Sequence, residues 1–229
     1  MPVLKVENVS KSFSVPSQSV EAPQSRLLIL NGVSFVVERG ESVAVMGPSG
    51  GGKSTLLSLL SGLEHPDHGK ILVLDREITS MKAAELNEFR ARSIGIVFQQ
   101  FQLLEHFTAL ENVRVPLDLR GLPAAEADRL AFEKLDRVGL KNRAHHFPDQ
   151  MSRGECQRVA IARVLAAGAQ LIFADEPTGS LDAGNGKVVM DLLFASAREQ
   201  GAAIVLVTHD PALARRCDRT FKIENGQLT

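Results

Sequence analysis

The sequence predicts an α/β fold with a mainly parallel sheet core, and two observations carry that expectation. Short apolar runs of strand type, SVAVM (42–46), IGIVF (94–98), LIFAD (171–175) and AIVLVT (203–208), alternate with stretches of helical periodicity. Several of these runs end in Gly, Gln, Asp or His, as strands do when they feed loops at one edge of a sheet.

The elements follow in order. VLKVENVSKSF (3–13) reads as an edge strand, and Ser14 to Arg26, rich in Ser, Pro and Gln, as a long loop. LLILNGVSFVV (27–37) resumes the strand pattern and gives an N-terminal antiparallel β region, with a turn at Glu38-Arg39-Gly40. SVAVM is a short buried strand, followed by a helix from Lys53 to Ser61. KILVL is strand-like, MKAAELNEFRARS helical, and IGIVF another buried strand. From Gln100 to Ala167 the period is mostly helical, which marks a helical sub-lobe at about 100–167 within one domain spanning 1–229. LIFAD, a helix from Gly184 to Glu199, AIVLVT, a short helix at PALARRC and a final hairpin at RTFKIENGQL complete the chain. Asn225-Gly226 is the hairpin turn.

Composition narrows the function. A chain of 229 residues with 44% apolar content can bury a full core. The net charge of −1 argues against a nucleic-acid partner. Trp and Tyr are absent, so any aromatic stacking falls to Phe or His. Cys156 and Cys217 have neither metal-ligand nor disulfide spacing and read as free thiols in a reducing compartment. The N-terminus has no leader pattern, and no apolar run approaches the roughly 20 residues of a membrane span. A soluble protein is expected, held at any membrane by a partner.

GPSGGGKST (Gly47, Pro48, Ser49, Gly50, Gly51, Gly52, Lys53, Ser54, Thr55) matches G-x-x-x-x-G-K-[ST] between a strand and a helix. Glycines let successive N–H groups turn inward around phosphate oxygens. Lys53 can reach the β- and γ-phosphates, and the Ser54 hydroxyl can ligate Mg²⁺. LIFADE ends in Asp175, a candidate Mg²⁺ ligand, and Glu176, a candidate base for an attacking water. LVTHD ends in His209, and IGIVF leads to Gln99. Parallel topology puts both on the edge of the phosphate loop, where His209 can sense the γ-phosphate and Gln99 can bind Mg²⁺ or the attacking water.

MSRGECQRVA (151–160) supplies a second anion site. Ser152 and Glu155 have the spacing of a capping box, so a helix begins there with Gly154 in its first turn and its N–H groups forward.

Phosphate loop, Gln99, MSRGE, LIFADE, SLD (180–182) and VTHD occur in one order, which resembles the ATP-binding subunits of ABC transporters over nearly the whole chain. The fold implied is the P-loop NTPase of the ABC ATPase type. By that resemblance MSRGE is similar to the LSGGQ signature, where Ser152, Gly154 and Glu155 meet the γ-phosphate held by a second subunit. Two copies then pair head to tail around two Mg-ATP, so the second anion site belongs to the partner's nucleotide. The resemblance makes Gln99 the Q-loop residue, Asp175 the Mg²⁺ ligand, Glu176 the base and His209 the switch. It places Asp182 in the loop joining the two sites and Phe13 against adenine. Arg153 stands where the signature has Gly, either drawing the γ-phosphate by charge or hindering closure by bulk.

FADEPTGSLD and GIVFQQFQLL are most similar to the lipoprotein-release and macrolide-export branch (LolD- and MacB-like), and LVTHDPALARRCDRTFKIENGQL to its YbbA type. That resemblance implies an integral-membrane permease subunit with a large extracytoplasmic domain. It also implies a peripheral location on the cytoplasmic face of the inner membrane and work in export, lipoprotein release or mechanotransmission. Some of Phe98, Phe101, Leu103, Leu104 and Phe107 are expected to form an apolar groove for a short helix of that subunit. A division- or envelope-regulating ABC ATPase shares every nucleotide motif. A soluble ABC ATPase would show paired cassettes, a coiled-coil insertion or a basic surface. A P-loop GTPase would show Asn-Lys-x-Asp.

Overall fold

The computed structural model describes residues 1–15 and 25–229. In chain order the elements are β1 (Pro2–Val15), β2 (Ser25–Glu38), β3 (Ser42–Met46), α1 (Lys53–Leu60), β4 (His68–Val73), β5 (Arg76–Glu77), α2 (Ala83–Ser93) and β6 (Ile94–Val97). Then come α3 (Ala109–Leu119), α4 (Ala124–Arg137), α5 (Arg153–Ala167), β7 (Leu171–Asp175), α6 (Ala183–Gln200), β8 (Ala203–Val207), α7 (Pro211–Ala214), β9 (Arg219–Glu224) and β10 (Gln227–Leu228). The chain forms two compact units, Met1–Leu86 with Val207–Thr229, and Asn87–Leu206.

In the first unit an antiparallel sheet has the order β2-β1-β4-β5. β1 is therefore an interior strand, not the edge strand expected. It pairs with β2 (Val6 with Phe35) and with β4 (Val6 with Ile71), and Val3, Leu4, Val6 and Val9 are buried. The expected loop at Ser14 to Arg26 is shorter at both ends, because Ser14 pairs with Arg26 and Val15 with Ser25. The rest of that segment, residues 16–24, lies outside the described residues. β3 is buried and parallel to β9, which turns at Asn225 (φ 50°) and Gly226 (φ 76°) into antiparallel β10. Two successive positive φ values are what a two-residue hairpin turn demands.

In the second unit the strand order is β8-β7-β6, with β6 and β7 parallel. α5 is buried almost all round: Val159, Ala160, Ile161, Ala162, Val164 and Leu165 are all in the core. It lies so close to β6 that a Cβ on Gly95 would stand 2.3 Å from Val164 Cγ1. α3 begins with a full capping box, Thr108 and Glu111. Behind it Asn112, fully buried, accepts from the Leu104 N–H and donates to the carbonyls of Leu104, Phe107 and Thr108. One amide thus fixes the whole 104–108 turn.

Candidate functional site

The first unit carries Phe13, the phosphate loop and His209. The loop leaves the C-terminal end of β3 and enters α1 through Gly52, whose φ of 93° is a left-handed conformation open to glycine. Gly52 as N-cap has no side chain, so no side chain caps the first-turn N–H groups of α1, and they are available to an anion. Gly51 lies tight on the loop, since a Cβ there would be 3.0 Å from the Pro48 carbonyl oxygen. The Lys53 ammonium is buried and donates at 2.9 Å to the carbonyls of both Gly47 and Pro48. Ser49, Gly50 and Ser54 are exposed, and Thr55 is half-buried. The loop therefore has the donors and the open face that a polyphosphate needs.

Thr208 donates its N–H to the Val45 carbonyl at 3.2 Å, which seats exposed His209 beside the end of β3. Phe13 is 42% exposed, pairs with Leu27 across the sheet, and has Lys11 Nζ 5.3 Å from its ring centre. One cation therefore lies over the ring, and much of the ring stays open for stacking.

The second unit carries Gln99, Ser152 to Glu155, Asp175, Glu176 and Asp182. Because Val97 and Ala174 are partners in the β6–β7 ladder, Gln99 and Glu176 leave the sheet at its same edge. Glu176 has φ 45°, a left-handed conformation that a residue with a Cβ adopts at a cost of about 1–2 kcal/mol. Gly179 donates its N–H to the Glu176 carbonyl at 2.9 Å and closes the turn. The Gln99 amide lies against this turn: a Cβ on Gly179 would be 2.7 Å from Gln99 Nε2, and Ser180 Oγ donates to the Gln99 carbonyl at 3.1 Å.

The capping box expected at Ser152 is present. The Glu155 N–H donates to Ser152 Oγ at 3.3 Å, and Glu155 Oε2 accepts from the Ser152 N–H and hydroxyl, both at 2.9 Å. The Ser152 N–H first, then its hydroxyl and Arg143, hold the Glu155 carboxyl below the usual range. Ser152 and Arg153 are exposed, whereas Gly154 is buried. Asp182 caps α6 through the Asn185 N–H.

Four residues that motif reading passed over hold these parts together. Gln157, buried on α5, donates through Nε2 to the carbonyls of Pro177 (2.7 Å) and Phe98 (3.3 Å). Arg163 donates to the carbonyls of Gln102 and Phe101. Arg143 donates to Glu155 at 3.1 Å, and Asn185 donates to Asp182. For Gln157 and Arg163 the sequence signal was QRVAIAR, polar at intervals and apolar between them; Arg143 and Asn185 lie outside it and carried none.

Among the described residues no three His, Cys, Asp or Glu side chains form a metal cluster.

The chain also resembles known proteins. Residues 30–179 match the family model described as ABC transporter. The chain is 44% identical over 227 residues to the lipoprotein-releasing system ATP-binding protein LolD of Treponema pallidum (strain Nichols), covering 99% of this chain and 97% of that protein. It is also 44% identical over 211 residues to the uncharacterized ABC transporter ATP-binding protein YbbA of Escherichia coli (strain K12), covering 92% of each. The ATP-binding cassette MJ0796, solved as a dimer in a post-hydrolysis state with ADP and Pi, superposes with a TM-score of 0.88. It is 36% identical, over 98% of this chain and 96% of that one. A strand-fed phosphate loop and a capped signature helix on one chain, with relatives matched end to end, place this protein in the ABC transporter family as an ATP-binding, ATP-hydrolysing subunit.

Proposed function

We propose that the chain is a single ATP-binding domain, with residues 100–167 as its helical signature lobe, that drives a membrane subunit in export, lipoprotein release or mechanotransmission. It works as a head-to-tail pair closing on two Mg-ATP, peripheral to the cytoplasmic face of the inner membrane. The observation that supports this reading is the presence of two glycine-containing helix starts of different build. α1 has no side-chain cap and a lysine at its mouth, whereas α5 is capped by its own Ser152 and Glu155, with Ser152 exposed. A single nucleotide needs the first; the second is explained by a nucleotide on another copy.

In this reading Lys53 exchanges two carbonyls for the β- and γ-phosphates, gaining charge-assisted bonds. Glu176 takes a proton from the attacking water, Gln99 orients that water, and His209 contacts the γ-phosphate. Ser54, Gln99 and Asp175 are the residues that would hold Mg²⁺, and the ion would supply positive charge against the phosphates. Ser152, Gly154, Glu155 and Asp182 face the partner's nucleotide, and Phe13 stacks on adenine.

The second unit also offers a face for the membrane subunit. Leu104 and Phe107 are 45% and 41% exposed on the turn that Asn112 fixes, while Phe98, Phe101 and Leu103 are half-buried. A cavity of about 400 Å³ lies among α2, β6, α3 and α5, lined by Arg90, Ile96, Val115, Leu119 and Arg163 with other residues, none of them acidic. Arg90 Nε is buried there with no hydrogen-bond partner. A short helix with an apolar face and a carboxylate matches this lining. Among the described residues no helix is long and apolar enough to cross a membrane.

The test uses Glu176→Gln, which removes the base and traps ATP. The tagged variant is recovered from membranes in mild detergent with Mg-ATP. Co-purification of a polytopic protein with a large extracytoplasmic domain is expected. Recovery of the soluble homodimer alone, or of ribosomes or DNA, would sink the membrane assignment and leave the ATPase intact.

A further inference from the structure

Gly154 is the glycine by which the signature resembles its family, and the reason usually sought for it lies in the partner's phosphate. The structure contains another reason within the same chain. A Cβ on Gly154 would stand 2.9 Å from Asn185 Oδ1, 3.0 Å from its Cγ and 3.3 Å from its Cβ. The Asn185 side chain therefore already occupies the space a residue-154 side chain would need. The opposite end of that amide, Nδ2, donates to Asp182 Oδ2 at 2.7 Å, while the Asn185 backbone N–H donates to Asp182 Oδ1 at 3.0 Å. One residue thus binds both oxygens of the Asp182 carboxylate and rests on the first turn of α5.

We propose that Asn185 is a positioning residue for the half-site offered to the partner's nucleotide, its side chain joining Gly154 to Asp182 so that both move as one piece. This rests on the head-to-tail reading above. Signature and Asp182 loop are separate in sequence, and each alone is a short exposed helix start. Joined by one amide in contact with both, they have a fixed spacing before any nucleotide arrives, which removes ordering cost from closure. The link continues along α5 to Gln157, on the Phe98 and Pro177 carbonyls, and Arg163, on the turn after Gln99. The bonds from Asn185, backbone first and then side chain, also hold the Asp182 carboxyl below its usual range, so it is ionised when it caps α6.

The experiment places Asn185→Asp, Asn185→Ala, Gly154→Ala and the double variant Gly154→Ala/Asn185→Ala in the Glu176→Gln chain. Three quantities are read: nucleotide affinity of the dilute single subunit, melting temperature, and the protein concentration for half-maximal ATP-driven dimerisation. Asn185→Asp keeps the shape and turns a donor toward Asp182 into an acceptor. It is expected to leave nucleotide affinity within about twofold and raise the dimerisation concentration about tenfold or more. Gly154→Ala, whose added Cβ meets the Asn185 amide and also stands where the partner's nucleotide is proposed to bind, should raise the dimerisation concentration further than either Asn185 variant, and Gly154→Ala/Asn185→Ala should fall at least about threefold below Gly154→Ala alone, the signature of a direct pair. Two outcomes overturn the proposal: Asn185→Asp and Asn185→Ala dimerising like the parent, or Asn185→Ala giving no relief to Gly154→Ala. Loss of single-subunit nucleotide binding with a lowered melting temperature in both Asn185 variants would also overturn it, by reducing Asn185 to a folding residue. Failure of the Glu176→Gln parent to dimerise with ATP would bring down the head-to-tail reading itself, and that control separates the two failures.

Discussion

Arg163 donates to the carbonyl oxygen of Gln102 at 2.8 Å, across 61 positions of sequence. Its other terminal nitrogen donates to Phe101 at 3.0 Å. Phe101 and Gln102 are consecutive left-handed residues, φ 58° and 50°, and neither is glycine. Such backbone persists only where its surroundings over-determine it. Here a guanidinium on the signature helix adds to the turn's own backbone bonds, from the Phe101 N–H to Phe98 and the Gln102 N–H to Gln100. Arg163→Ala is expected to destabilise the protein by about 1.5–3 kcal/mol, the range for bonds to a charged group. Hydrogen exchange should quicken first at residues 99–104. Unchanged exchange there would show that the turn holds itself.

Arg153 is exposed at the first position of α5, where a positive charge opposes the helix dipole. Closure is expected all the same, because Ser152 and Gly154 are in place. Arg153→Gly tests what the side chain costs. A rise in ATPase rate of about tenfold or more, equivalent to about 1.4 kcal/mol, would mark the arginine as an obstruction. A fall would show that its charge helps to draw in the γ-phosphate.

The two thiols should be slow to alkylate. Burial pushes the Cys217 thiol up to about 11, from an ordinary 9.0, and burial also raises Cys156. At pH 8 native Cys217 should react about a hundredfold more slowly than in denaturant, because only the thiolate attacks. The folded chain holds this proton more tightly, so the associated stability is full below pH 9 and is lost as pH rises towards 11. Iodoacetamide labelling against pH, with a parallel melting curve, checks both statements. Labelling of Cys156 with and without ATP reports on the signature helix, since its Sγ lies 3.5 Å from the Pro148 carbonyl just ahead of the cap.

Arg90→Glu should leave the ATPase activity of the isolated subunit within about twofold and abolish recovery of the membrane subunit. Among the described residues no carboxylate acts on Arg90, and burial alone shifts it downward. Reversing its charge turns a cavity suited to an acid into one that repels it. Recovery of the membrane subunit at the parental level would remove this cavity from the docking face.

The motifs were legible because each is contiguous and carries its own local physics. GPSGGGKST announces its glycine turn, and Ser152 with Glu155 announces its cap. The strands β3, β7 and β8 were legible as apolar runs. β1 was misread as an edge because a strand's second partner leaves no mark on its own residues; β4 lies some sixty positions away in the ladder from Ser10 to His68. Asn185, Gln157, Arg143 and Arg163 were missed for the same reason. Gln157 and Arg163 act through carbonyls 20 and 61 positions away, Asn185 and Arg143 through nearer carboxylates, and a polar side chain otherwise reads as solvated. The cavity was missed because its lining comes from four elements.

Glu176 sits on left-handed backbone, so the chemistry and the fold make opposite demands at one Cα. Glycine or asparagine there would relax the chain by about 1 kcal/mol while removing the proposed base. Selection for heat resistance alone would drift toward a sturdier protein that holds ATP and does no work. Such a variant would be an engine stalled in its engaged position.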